Sequence, residues 1–456
     1  MTLARRIAQP ALALTLPQLP ADVVAKVKIC LFDFLSAAYE SLDLPWSRQA
    51  LDIASRGFGN ANIIGSSLRA PADQAAFVNG ILGHGLVRED MHTGSVSHLG
   101  VVVLPTLLAL AQEQKVSGAD FITAAVCGYE VSAAIGRALM SQENVRQYRP
   151  TGICGPPGAA LAGARLLGLN EDGLISALSF GANTTTGLNE WPYSGGDEMF
   201  FHVGFAARNA VTAAQLAQLG ARCSETSLDG QAGLFQALKR QDQVEHVRPF
   251  TGDRYEIMQV FHKPAPACNY AQTAAQAALA LAGDLHREGI STHDIAAIRV
   301  RSTAAAIGYP GCDYAGPFEK TLQAKMSIHF CVGATLSRGV IEETNYRQLD
   351  DPEINRLASL TRLEPDSELT AAYPRIQGSE VILTLRTGNA LNRRLPDVIP
   401  ATPEQIRARY RKSAEAVIGA AATRDVESMI DTLEQSPDAG QLAKLLSLTP
   451  EPALRA

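Results

Sequence analysis

Between about residues 20 and 240 apolar positions recur every three or four residues, as in "DVVAKVKICLFDFLSAAY", "FITAAVCGYEVSAAIGRALM" and "ISALSFGANTTTGL". That is the period of a helix with one buried face, not the two-residue alternation of a strand. In "GPPGAALAGARLLGLN", Pro156 and Pro157 stand where a first helical turn lacks N–H partners, and Gly168 stands where a left-handed cap ends a helix. "VGFAARNAVTAAQLAQLG" repeats the design with Gly220. The abundance of alanine and glycine predicts closely packed helices in several layers.

The texture changes near residue 263. "IAAIRVRSTA" (295–304) and "SEVILTLRTGNALNRRL" (379–395) alternate as strands do, the second around a turn-like "TGNA". Helical patterns such as "KMSIHFCVGATLSRGVI" lie between them, and "PEQIRARYRKSAEAVIGAAA" and "DVESMIDTLEQ" return to helix from about 403. The expected fold is mostly α with an inserted α+β domain. Residues 1–262 form the first part of a helical domain, 263–402 an α+β lid, and 403–456 the helical domain's C-terminal part. At 456 residues the chain exceeds what a single core usually fills, which suits two domains.

Charge narrows the partners. The formal net charge is −6, only 19% of residues are charged, and no long run of either sign occurs, so no nucleic-acid partner is expected. No apolar run approaches the roughly 20 residues of a membrane span. The first twenty residues are basic and apolar, but Pro10, Pro17 and Pro20 interrupt them, and they read as the first helices of the mature protein. Seven scattered cysteines, odd in number and never spaced C-x-x-C, argue against a disulfide framework or zinc knuckle and for a reducing cytoplasm.

Candidate chemistry concentrates in "GHGLVREDMHTGSVSHLG", residues 83–100. His84 shares a helical face with Phe77 and Ile81 and reads as a hydrogen-bonded core histidine. His92 and His98 fall in the loop that follows, beside Glu89 and Asp90, before a helix begun by Pro105. Imidazole with carboxylate is a proton-transfer pairing; a solvated polar loop is the plain alternative. The spacings match no established ligand motif, so no metal is expected. In "FHKPAPACNYAQTAAQAA", Lys263 precedes two prolines that fix its backbone, which suits a substrate clamp or general acid as well as a hinge lysine. Cys268 reads as a small buried hydrophobe.

The segments "NGILGHGL…ED…SHLGVVVLPTLLALAQ", "GYEVSAAIGRAL", "GICGPPGAALAGARLLGLNEDGLISALSF", "FHVGFAARNAVTAAQLAQLG", "KPAPAC" and "AKMSIHFCVGATL" together resemble the MmgE/PrpD family of 2-methylcitrate dehydratases, cis-aconitate decarboxylases and iminodisuccinate epimerases. The resemblance implies a helical domain built from both chain ends, an inserted lid, a cofactor-free site in the cleft and a homodimer. It implies catalytic roles for His98, for Glu89 and Asp90 ahead of it, and for Lys263. The chain also departs from the pattern: Arg149 replaces a histidine of the decarboxylases, Met199 a lysine, Phe330 a tyrosine and Val87 an acidic residue, while Arg88 is an added cation. Arg149, Arg88, His92, Met199 and Phe330 form the expected substrate-contacting set. The expected activity is dehydration of a small hydroxy-carboxylate. An epimerase or decarboxylase using the same proton chemistry, and a non-catalytic ligand-binding dimer, are the alternatives.

Overall fold

The computed structural model describes residues 1–250 and 254–448. Residues 251–253, and 449–456 at the end of the expected C-terminal helical segment, lie outside the described residues.

The alanine-rich periodicity becomes a stack of helices, Ala21–Glu40, Ala72–His84, Gly100–Leu110, Gly118–Leu139, Pro150–Leu166, Glu171–Asn183 and Glu198–Gln218. Pro150–Leu166 lies at the centre, packed on Gly118–Leu139, Glu171–Asn183 and Glu198–Gln218. Small residues permit this. A Cβ on Gly158 would stand 2.8 Å from the Gly128 carbonyl oxygen and 2.7 Å from the Ser132 nitrogen, so two helix backbones approach more closely than a side chain allows. Gly168 and Gly220 adopt the left-handed conformation expected of caps, at φ +75° and +86°.

The prolines depart from expectation. Pro150, not Pro156 or Pro157, opens its helix, and those two lie in its interior. The carbonyl of Gly152, which Pro156 has no N–H to reach, accepts instead from Thr186 N at 3.0 Å. Pro105 likewise lies inside its helix, which starts at Gly100 because the Asp90 carboxylate accepts the Gly100 N–H at 3.1 Å.

Beyond residue 263 a four-stranded sheet has the order 361–365, 295–302, 379–385, 390–395, the first pair parallel and the others antiparallel. The turn joining the last two strands places Gly388 at φ +91°. Gln272–Glu288 and Ile328–Arg338 pack together beside the sheet. The chain then returns to the helical body through Pro403–Asp431, broken at Gly419, whose Tyr410 ring lies 5.1 Å from Phe32. The two crossings between the parts are tied: Ala401 N donates to the His262 carbonyl at 2.9 Å, and His262 Nδ1 meets Asp33 Oδ2 at 2.7 Å. Among the described residues no helix is long and apolar enough to cross a membrane.

Candidate active site

The acid–base cluster is buried, which excludes a solvated loop. Arg88, Glu89, Asp90, His92 and His98 are each no more than 6% exposed, and His84 and Lys263 are fully buried. Burial of this many ionisable groups requires mutual pairing, and the pairing determines what each can do.

Glu89 lies between two histidines. His84 Nδ1 stands 2.5 Å and His98 Nδ1 2.7 Å from the same Glu89 oxygen. Arg149 Nη2 donates to His84 Nε2 at 3.0 Å, so that nitrogen carries a lone pair and Nδ1–H of His84 donates to Glu89. His98 Nδ1 also lies 3.0 Å from the Asp90 carbonyl oxygen, another acceptor, so it too bears the proton and His98 Nε2 is left unprotonated. Burial pushes His98 down to about 3, with nearby Lys263 adding to the effect and Glu89 opposing it. Burial would raise the Glu89 carboxyl, but its two imidazole partners outweigh this and hold it well below the ordinary range. Burial also lowers His84. The expectation of a hydrogen-bonded core histidine is met, with a consequence the periodicity did not show: His84 links Arg149 to Glu89.

Lys263 reaches in from the other side of the hinge. Its ammonium donates to the carbonyls of Val87 at 2.7 Å and Ala267 at 2.9 Å, and burial brings it down to about 8. A second buried lysine, Lys325, donates to the preceding carbonyl, Leu86, at 2.9 Å and pairs with Glu343 at 2.6 Å. The two cations clamp a strained turn, for Val87 has φ +59°, a left-handed conformation that a β-branched residue rarely adopts.

These groups converge on a cavity of about 30 Å³ between the two parts of the fold. The helical body contributes His98, Arg149 and an apolar wall of Val87, Met91, Val96, Trp191 and Met199; the inserted part contributes Lys263, Cys268, Asn269, Tyr270, Tyr309 and Met326. Arg149 lies 5.8 Å from the Trp191 ring centroid, and its Nε has no partner. Of the residues expected from sequence, His98, Lys263, Arg149 and Met199 therefore share one cavity. Glu89 stands directly behind His98.

The remaining four are placed elsewhere. The Asp90 carboxylate faces away, accepting from Tyr129 Oη and Gly100 N, so it anchors a helix start. His92 spends Nδ1 on Ser95 and Nε2 on Glu256 at 3.1 Å, fixing the loop. Arg88 points to the opposite side of the Val87 turn, where Nη1 pairs with Glu40 at 2.7 Å. Phe330 packs between Phe318 and Tyr346, with ring centroids at 4.9 and 5.8 Å, and does not line the cavity. For Arg88, His92 and Phe330 the structure thus corrects an expected substrate contact, and for Asp90 an expected proton-moving carboxylate. Sequence gave no signal for Tyr309 or Met326. Asn269 and Tyr270 directly follow the Lys263–Cys268 segment and could have been read with it. Cys268 is buried as expected, with its sulfur 3.7 Å from that of Cys312, and all seven cysteines are free.

His84, Glu89 and His98 also present ligand atoms within 4.8 Å of one another, the donor types of a three-ligand metal site. Both Nδ1 atoms, however, already sit at hydrogen-bond distance from one oxygen, and Arg149 and Lys263 bring positive charge to the same place. The cluster is a hydrogen-bonded triad through Glu89 Oε1, while Glu89 Oε2 is buried without a partner among the described residues.

Comparison with known proteins agrees with this architecture. The chain matches the MmgE/PrpD N-terminal domain over residues 5–247 and the MmgE/PrpD C-terminal domain over residues 265–435. It is 26% identical over 464 residues to a cis-aconitate decarboxylase-like protein of Aspergillus oryzae, covering 94% of each chain. It is 24% identical to a cis-aconitate decarboxylase of Aspergillus terreus over 94% of this chain and 92% of that one. Identity to a 2-methylcitrate dehydratase of Cupriavidus necator is 28%, over 50% of this chain and 49% of that protein. With both domains matched in order and the hinge and cleft in place between them, the chain belongs to the MmgE/PrpD family.

Proposed function

We propose that the protein is a lyase that dehydrates a small hydroxy-dicarboxylate. The observation that carries this reading is His98: its Nδ1–H is held by Glu89 and its unprotonated Nε2 shares a buried cavity with two cations, Lys263 and Arg149. A neutral imidazole with a free lone pair accepts a proton, which suits a reaction that begins by removing one from carbon. His98 Nε2 takes the proton alpha to a carboxylate, and the C–H electron pair becomes the new C=C bond. The C–O bond at the β carbon breaks, and the hydroxyl leaves as water with a proton from the Lys263 ammonium. Arg149 holds a carboxylate and stabilises the charge that builds on it.

The number of cations supports a dicarboxylate. Arg149 has one carboxylate to hold, the charge of Lys263, whose third N–H goes to the leaving oxygen, offsets a second, and the rest of the helical-side wall is apolar. A third carboxylate buried against Met91 and Met199 would lack a partner, at a cost of several kcal/mol. Decarboxylation is the second reading, favoured by the relatives that match along nearly the whole chain. It needs an acid to protonate the resulting carbanion, a part open to Lys263 but not to His98, and it leaves the free lone pair of His98 Nε2 without a use.

The test is proton NMR in D2O of purified protein with a panel of hydroxy-dicarboxylates, citrate-type tricarboxylates and cis-aconitate, with and without EDTA. The expected result is a new vinylic signal from a dicarboxylate, unchanged by EDTA, with tricarboxylates turned over at least about a hundredfold more slowly. Carbon dioxide release without water loss would replace this reading with decarboxylation. Deuterium entering recovered substrate without elimination would make the protein an epimerase.

A further inference from the structure

Two peptide links form a partition in the molecule. Val87 and Lys263 line the acid–base cavity, whereas the residues that follow them, Arg88 and Pro264, line a second cavity of about 610 Å³ on the far side of the hinge. That volume lies within the range of small-molecule sites. Leu279, Val340 and Ile341 of the inserted part face Val417 of the helical body across it. An occupant would touch both parts of the fold.

The charges on the wall do not cancel. Arg88 pairs with Glu40 and Arg347 with Asp43. Arg409 spends two N–H groups on the carbonyls of Lys263 and Pro264, and neither it nor Lys412 has an ion-pair partner among the described residues. Among the described residues of this wall, Glu342 is the one carboxylate left facing these two cations. Arg88 is only 6% exposed, yet its Nε–H has no hydrogen-bond partner. That nitrogen is shielded from the cavity by its neighbours, so Arg88 acts on an occupant through its charge and not through this N–H.

We infer that this cavity binds a small carboxylate with an apolar body. Its head group meets the excess charge of Arg409 and Lys412 beside Arg88, and its tail lies on Leu279, Ile341 and Val417. Because the partition is shared, an occupant bridging both parts behind the hinge resists opening of the acid–base cleft in front. Binding there is independent of the reaction proposed above and is tested without turnover.

The test is calorimetric titration of the full chain with hexanoate, beside inorganic phosphate and 1-hexanol as its two halves. One saturable site for hexanoate is expected, with phosphate and hexanol each at least about tenfold weaker. Lys412→Glu, at an exposed position, and Arg88→Gln should each weaken hexanoate at least about tenfold, whereas Arg149→Met should leave it unchanged. The inference falls if hexanoate shows no saturable heat, if phosphate binds as well as hexanoate, or if Arg149→Met abolishes binding while Lys412→Glu does not. Should Arg88→Gln fail to fold, Lys412→Glu alone decides.

Discussion

His98 and Lys263 share a cavity but titrate in different windows. With His98 driven down to about 3 by burial, its imidazole is a free base throughout the range above about pH 5 and imposes no acid limb there. Lys263, brought by burial to about 8, is charged at pH 7 and loses its proton as pH rises through that value. Log kcat/KM should therefore be level between about pH 5 and 7 and fall with unit slope above about 8. Lys263→Arg keeps a cation at every working pH, so it should lower the plateau and abolish the alkaline limb. A limb that persists near 8 in that variant would assign it to another group. His98→Ala should reduce kcat by about 10²–10⁴. Glu89→Gln removes the charged acceptor that sets the tautomer, and should lower kcat by about ten- to a hundredfold with KM within about threefold. A Glu89→Gln enzyme with a raised KM and unchanged kcat would make Glu89 a substrate contact rather than a positioning residue.

At the scale of elements, local rules predict an outcome wherever only local geometry matters. The three-to-four-residue period located the helices, Gly168 and Gly220 ended two of them, and "TGNA" turned the hairpin. The interior prolines escaped that reading because Gly152 is rescued by Thr186, a partner remote in sequence from Pro156 and brought near only by folding. The site was half legible for a similar reason. His98 and Lys263 were legible as residue types at marked positions, and Arg149 and Met199 only through the family resemblance, but which way a side chain faces is set by the backbone. At φ +59° Val87 turns Arg88 away from the cavity it was expected to line. Helix packing gives a pair of opposite predictions. Gly158→Ala sets a Cβ 2.8 Å from the Gly128 carbonyl oxygen and should destabilise by about 1–3 kcal/mol. Gly283→Ala, in Gln272–Glu288 with its nearest neighbour at 3.7 Å, should stabilise by up to about 1 kcal/mol through helix propensity. Urea midpoints that move in the same direction for both would remove close packing as the reason for Gly158.

For the whole molecule the central quantity is the size of the acid–base cavity. About 30 Å³ open to the centre of a water-sized sphere is room for roughly two or three waters, less than a dicarboxylate with eight or more heavy atoms occupies. Its walls belong to both parts of the fold, joined at the paired crossings near His262 and Ala401. Substrate entry is therefore expected to require the parts to separate at this hinge, with reclosure excluding water from His98 and Lys263. The chain contains two tryptophans. Trp46 is stacked on Phe200 at 3.6 Å and does not line the cavity, whereas Trp191 forms part of the cavity wall beside Arg149. In a Trp46→Phe background, Trp191 fluorescence thus reports opening alone. In temperature-jump relaxation with the proposed dicarboxylate, the observed rate at saturating concentration should level off at the opening rate, within the microsecond-to-millisecond range of hinge motions. A rate that keeps climbing linearly to the limit of the instrument would mean that the cleft already stands open in solution, and that the closed cavity forms only after substrate has entered.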